Sequence, residues 1–390
     1  MLGSPILLKS LLLSAAAFCA STTAGPTTAS TTKKVCTNYK IPVTISSTNL
    51  VFAHPFRDNY DVADFVTIAD SRDEGARADV INGTTTLSGS YTIGATFCTP
   101  ATGQSDAHKS TVLLATHGLL FDRTYWDPAL NKTRYSFVDW SINQGYSVFY
   151  YDRLGVGESS KVSGYVAQLN DQVEILTALT KLVKAGNYVG NLGQPKAVVL
   201  VGHSFGSNLA VQTAANDLNI ADGLILTGYS FDQRYQNPGG TAAAVGFRIA
   251  KTLSPQKWGD LDTGYLVPVD QYPIATTYFK EPDYEKSAIE YTNANKQPVG
   301  IIEVLTSTIP NTFPNGYTGV VMILTGQYDF IFCTSLCTDE ILTNSAAPIF
   351  KDAKAFTAKA YPGASHGLNL AANAAGSFKL ITDFLSANGL

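Results

Sequence analysis

A serine, a histidine and an aspartate, far apart in the chain, have the residue types of a nucleophilic relay. Ser204 stands in Gly202-His203-Ser204-Phe205-Gly206, directly after the apolar run "AVVLV". In a chain with 32 glycines such a string arises easily by chance, so its meaning depends on what surrounds it. A serine hydroxyl is a weak nucleophile and needs a base within hydrogen-bond reach. Five histidines are available. His203 is the serine's neighbour, and its side chain is expected across the turn, away from the hydroxyl. His54 and His108 lie in polar, loop-like stretches, and His117 precedes Gly118 at the end of an apolar run. His366, in "YPGASHG", follows the last strand-like run among small residues and is the expected base. The carboxylate that orients it is expected at Asp329, closing "MILTGQYD", with Asp339 as the alternative. Such a set transfers an acyl group to water through a covalent intermediate.

For that chemistry, a sharp strand-to-helix turn must lift the serine above the sheet, with small residues two before and two after it. Gly202 and Gly206 meet the need, and "SNLAVQTAANDL" supplies the helix. The oxyanion is expected between the backbone N–H of Phe205 and that of Leu119, with Gly118 allowing the close approach. The apolar runs "STVLLATHG", "YSVFYYDRLG", "KAVVLVGHS", "ADGLILTGYS" and "GVVMILTGQYD", with the more polar "KAFTAKAYPGASH", suit a parallel sheet buried on both faces. Helical patterns alternate with them. In one, Leu169, Val173, Leu176, Leu179 and Val183 share a face and Gly186 stands at the C-terminal cap. The expected fold is therefore α/β: a mostly parallel central sheet with helices on both faces. Residues 231–316 interrupt the alternation and are expected to form a mainly helical lid (cap). Residues 35–110 read as strands, with no long helical period, so that the core spans 35–230 and 317–390.

The 390-residue chain has a formal charge of −4, which provides no basic field for nucleic acid. Residues 1–24 read as a secretory signal, their apolar run too short to span a bilayer, and 25–34 as a disordered leader. The expected location is secreted, with no stable membrane anchor. Removing the signal removes Cys19 and leaves Cys36, Cys98, Cys333 and Cys337, an even set that suggests two disulfides. Three pairings are possible; Cys333 and Cys337 are close enough for a local bridge, which leaves Cys36 with Cys98. No histidine lies near either pair, so no metal is expected, nor any cofactor. Asn82 and Asn131 head glycosylation sequons.

The segments "THGLL", "YDRLGVGES", "GHSFGS", "TGQYD" and "PGASHG", in this order, resemble the α/β-hydrolase superfamily over roughly residues 110–390 apart from the lid. The resemblance implies the order serine, acid, histidine, matched by Ser204, Asp329 and His366. It implies that Asp152 and the glycines of "YDRLGVGES" shape the floor of the site. A dinucleotide reading of Gly155 and Gly157 fails because Ser160 replaces the third glycine. Superfamily epoxide hydrolases and haloalkane dehalogenases carry aspartate on the elbow, so Ser204 argues against both. The implied function is a serine hydrolase cleaving a carboxylic ester or lactone, its partner a small apolar or aromatic acyl substrate. The alternatives are a proline-iminopeptidase-like enzyme using Asp270, Glu281, Asp283, Glu285 or Glu290 to hold an amine, an acyltransferase, a non-hydrolytic lyase, and a binding protein without catalysis.

Overall fold

The computed structural model describes residues 34–69, 71, 79–101, 108–236, 238–307 and 312–390. The expected signal and residues 25–33 of the leader lie outside them. Lys34, assigned above to the leader, instead opens the first strand.

The strands are β1 (Lys34–Phe52), β2 (Ile81–Pro100), β3 (Thr111–Thr116), β4 (Ser147–Tyr151), β5 (Ala197–His203), β6 (Gly223–Thr227), β7 (Phe247–Ile249), β8 (Tyr265–Pro268), β9 (Val299–Gly300), β10 (Val320–Gly326) and β11 (Ala355–Tyr361). Eight form one sheet in the order β1-β2-β4-β3-β5-β6-β10-β11, antiparallel along β1-β2-β4 and parallel from β4 onward. Every residue of β3, β4, β5, β6 and β10 is buried, which explains their uninterrupted apolar runs. Alternate side chains feed two cores. Leu113, Val199 and Val201 pack on one face, Val112, Val198 and Leu200 on the other. At the sheet edge, β11 is only partly buried, and its sequence is correspondingly more polar. Helix Leu169–Lys184 buries the five expected apolar residues in the second core, and Gly186, at φ 83°, ends it.

Two features depart from the sequence reading. Between β1 and β2 the chain forms a helix, α1 (Asn59–Ala69), where only strands were expected. Asp58 caps it, its carboxylate accepting from the N–H groups of Tyr60 and Asp61. Only Val62 and Phe65 are buried along it, so its period is faint in the sequence. The insertion between β6 and β10 carries helices Pro238–Val245, Gln271–Tyr278, Lys286–Asn295 and Ile301–Thr306, and also pairs β7, β8 and β9 into a small antiparallel sheet.

Cys36 and Cys98 face each other across β1 and β2 and are disulfide-bonded, and a second bridge joins Cys333 to Cys337. Asn82 and Asn131 are exposed. Among the described residues, no helix is long and apolar enough to cross a membrane.

Candidate active site

The elbow stands where β5 meets helix Phe205–Asn216. Ser204 adopts φ 55°, ψ −119°, a conformation that costs a non-glycine residue about 1–3 kcal/mol and persists only when its surroundings impose it. Its N–H donates to the Thr227 carbonyl on β6 at 2.8 Å, and its own carbonyl accepts from the N–H groups of Ser207 and Asn208. The flanking glycines are required by space. A Cβ on Gly206 would lie 2.1 Å from the Thr116 carbonyl oxygen, and one on Gly202 would lie 2.4 Å from Ser207 Cα. On Gly118 it would lie 2.9 Å from Ser204 Cβ.

Three strand ends bring Ser204, Asp329 and His366 together. His366 Nε2 is 2.9 Å from Ser204 Oγ, and His366 Nδ1 is 2.7 Å from Asp329 Oδ2. The other carboxylate oxygen of Asp329 accepts from the N–H groups of Ile331 and Phe332, both at 2.9 Å, so the carboxylate cannot swing. The Cys333–Cys337 bridge closes the turn that follows. Asp339, the alternative, is instead bound to Lys359 and to the Ala360 N–H. Around the imidazole pack Tyr278 of the insertion at 5.0 Å, Phe332 at 5.8 Å and His203 at 5.1 Å between ring centroids. His203 makes no bond to Ser204. It lies stacked on Tyr125, with Nδ1 3.2 Å from the Thr227 hydroxyl.

One residue left without a role by the sequence, His117, holds the loop after β3 beside Ser204. His117 accepts the Arg153 N–H at Nε2 (3.1 Å), which leaves its Nδ1 protonated to donate to the Gly118 carbonyl at 2.9 Å. In a trans peptide C=O and N–H point opposite ways, so holding the Gly118 carbonyl also fixes the direction of the Leu119 N–H. The N–H groups of Leu119 and Phe205 have no partner among the described residues, and both residues line the same cavity as Ser204. The Arg153 guanidinium lies within 3.4 Å of the same carbonyl, 4.9 Å from the Phe205 ring centroid, and is ion-paired to Glu303 of helix Ile301–Thr306. Gln172 donates to that carboxylate at 2.8 Å. Burial pushes the Glu303 carboxyl up, and Arg153 and Gln172 oppose it. The positioning signal was the "THG" string; the pairing with Glu303 had none.

Asp152 stabilises the neighbouring loop by accepting from the N–H groups of Arg123 and Glu158 and pairing with the Arg123 side chain. Gly155 and Gly157 have φ 94° and 52°, and a Cβ on Gly157 would strike the Asp152 carboxylate.

A cavity of about 520 Å³ opens over Ser204. Leu119, Leu120 and Phe205 line it with Ser204, Val245 and Leu305 come from the insertion, and Ile331 and Phe332 come from the segment after Asp329. Its described lining contains no Asp, Glu, Lys or Arg. Glu285 pairs with Arg134 and Asp270 caps helix Gln271–Tyr278, and neither they nor Glu281, Asp283 or Glu290 line the cavity.

His117 and His203 also make stability depend on pH. Both are fully buried, and burial holds each well below the usual histidine pKa; Arg153 adds to this for His117, His366 for His203. In the unfolded chain each titrates near ~6.5. Below that pH the unfolded state binds more protons than the native state. Their contribution is therefore complete above pH ~6.5 and is lost as pH falls, at up to about 1.4 kcal/mol per pH unit for each ring. Urea unfolding at pH 7.5 and 5.5 is expected to show this loss, with a shallower slope in His203→Phe; equal slopes would contradict it.

The Alpha/beta hydrolase family profile matches residues 112–375. A thermophilic esterase from Thermogutta terrifontis is similar in structure at 19% identity and TM-score 0.52, covering 77% of this chain and 95% of its own. An epoxide hydrolase from Vigna radiata is similar at 12% identity and TM-score 0.49, covering 76% and 95%. No curated protein matches the sequence. With the family profile spanning most of a chain that carries the sheet order, the elbow and the inserted segment, the chain belongs to the α/β-hydrolase family.

Proposed function

We propose that the protein is a serine hydrolase that cleaves carboxylic esters or lactones. The observation that carries this reading is the continuous hydrogen-bonded path from Ser204 through His366 to Asp329, opening into an apolar cavity. In the first half-reaction Ser204 Oγ adds to the carbonyl carbon while His366 Nε2 takes its proton. The imidazolium is held by the Asp329 carboxylate at Nδ1. The negative charge that develops on the carbonyl oxygen is received by the N–H groups of Phe205 and Leu119, which need no reorganisation to do so. His366 then gives its proton to the departing alkoxide. Water, activated by the same imidazole, releases the acid and restores Ser204. Two disulfides favour an oxidising compartment, in keeping with a secreted enzyme.

An uncharged lining favours a neutral acyl group over a free amine, which would require a carboxylate partner in so apolar a space. The test is a panel of p-nitrophenyl esters, a lactone series and prolyl-naphthylamide. Ester or lactone turnover is expected to exceed amide turnover; dominant release of proline from the naphthylamide would overturn the assignment in favour of a peptidase.

A further inference from the structure

The cavity over Ser204 has a wall that the family match does not include. Phe65, Ile68 and Ala69 of α1, together with Val80 shortly before β2, line it alongside Ser204. All four precede residue 112, where the family match begins. α1 is not a loose appendage. Phe65 belongs to the same apolar core as Val245, Phe247 and Ile249, so α1 and the insertion share packing. Asn59, its first residue, accepts the Ile249 N–H of β7 through its side-chain oxygen at 2.8 Å. The Phe56 N–H, just before the helix, donates to the Tyr165 hydroxyl at 2.6 Å. The wall is therefore tied both to the insertion and to the loop before helix Leu169–Lys184.

We propose that α1 closes the acyl end of the site and sets the largest acyl group accepted, so that the substrates are esters of uncharged apolar acids of medium size. This rests on the hydrolase reading above and goes beyond it. The reacting carbonyl must sit beside Ser204, within reach of the Leu119 and Phe205 N–H groups, and the polar atoms there serve the reaction. The residues of α1 that reach the cavity are apolar, so they reward only apolar substrate atoms. A volume of about 520 Å³ has room for an acyl group of medium length. Each methylene buried against such a lining is worth about fourfold in kcat/KM until the wall is met.

The experiment compares p-nitrophenyl esters from acetate to palmitate in the wild type, Ile68→Trp and Ile68→Ala. In the wild type kcat/KM should climb with chain length and then stop. Ile68→Trp narrows the cavity at α1 and should lower kcat/KM for decanoate relative to that for acetate by about 100-fold. Ile68→Ala should move the limit to longer chains, which reads the same wall in the opposite direction if the larger side chain prevents folding. Wild-type ester turnover with an unchanged length profile in a folded variant would overturn this proposal alone. Absence of ester and lactone turnover in the wild type would overturn the hydrolase reading itself, and this proposal with it.

Discussion

Ser204→Ala is expected to lower ester kcat by about 10⁴- to 10⁶-fold while leaving the thermal unfolding midpoint nearly unchanged. Only the hydroxyl is removed, and among the described residues it bonds to His366 Nε2 alone. The elbow survives, because its shape depends on Gly202, Gly206 and backbone bonds to Thr227. Relief of a strained conformation is not expected either, since alanine carries a Cβ as serine does. The cost should be strongly non-additive. His366→Ala alone should approach the same loss, and the double variant should be little worse than either, because serine and imidazole act as one unit. Steady-state turnover of p-nitrophenyl acetate measures all three. Loss factors that multiply in the double variant would mean that the two side chains act separately.

Glu303→Ala should damage both stability and turnover. Arg153 and Glu303 are 0% and 1% exposed in their side chains, so removing the carboxylate leaves a guanidinium charge buried without its ion partner. Breaking such a pair costs about 3–5 kcal/mol. Turnover should fall as well, because the Arg153 side chain also approaches the Gly118 carbonyl and lies against the Phe205 ring. Both expected oxyanion donors depend on those contacts. The paired replacement Arg153→Met/Glu303→Leu separates the two effects. It should regain most of the stability, as apolar replacement of a buried ion pair commonly does, yet remain about 10-fold or more below wild type in kcat, with KM changed less. Urea unfolding and steady-state kinetics on the two variants give the answer. Full recovery of kcat in the paired variant would reduce the ion pair to a structural role.

The elbow was legible in the sequence because steric demands act locally. Gly206 passes so close to the end of β3 that no side chain fits, and Gly202 is confined by Ser207 in the same turn. A strand of fully buried residues before the serine and a helix after it leave their own periodic marks. Asp329 and His366 could be placed because each follows a recognisable strand, β10 and β11. What escaped were partnerships between distant segments. Glu303 lies 150 residues from Arg153, and nothing in "IIEVLT" marks a glutamate that is to be buried. Likewise α1 presents only two buried side chains to the core. Ile68 and Ala69 are only half-buried, and their place at the cavity is set by where the β1–β2 hairpin carries them. His117 was visible but mute: its tautomer and its hold on the Gly118 carbonyl depend on Arg153, supplied from the end of a neighbouring strand.

The central claim is that Ser204 is a nucleophile activated by His366, and covalent capture tests it most directly. A fluorophosphonate, incubated with the intact protein and followed by peptide mass spectrometry, should add one phosphonyl group to the peptide bearing Ser204. Labelling should disappear in Ser204→Ala and slow by at least about 10³-fold in His366→Ala. An unlabelled wild type, or a label that persists in Ser204→Ala, would contradict the account.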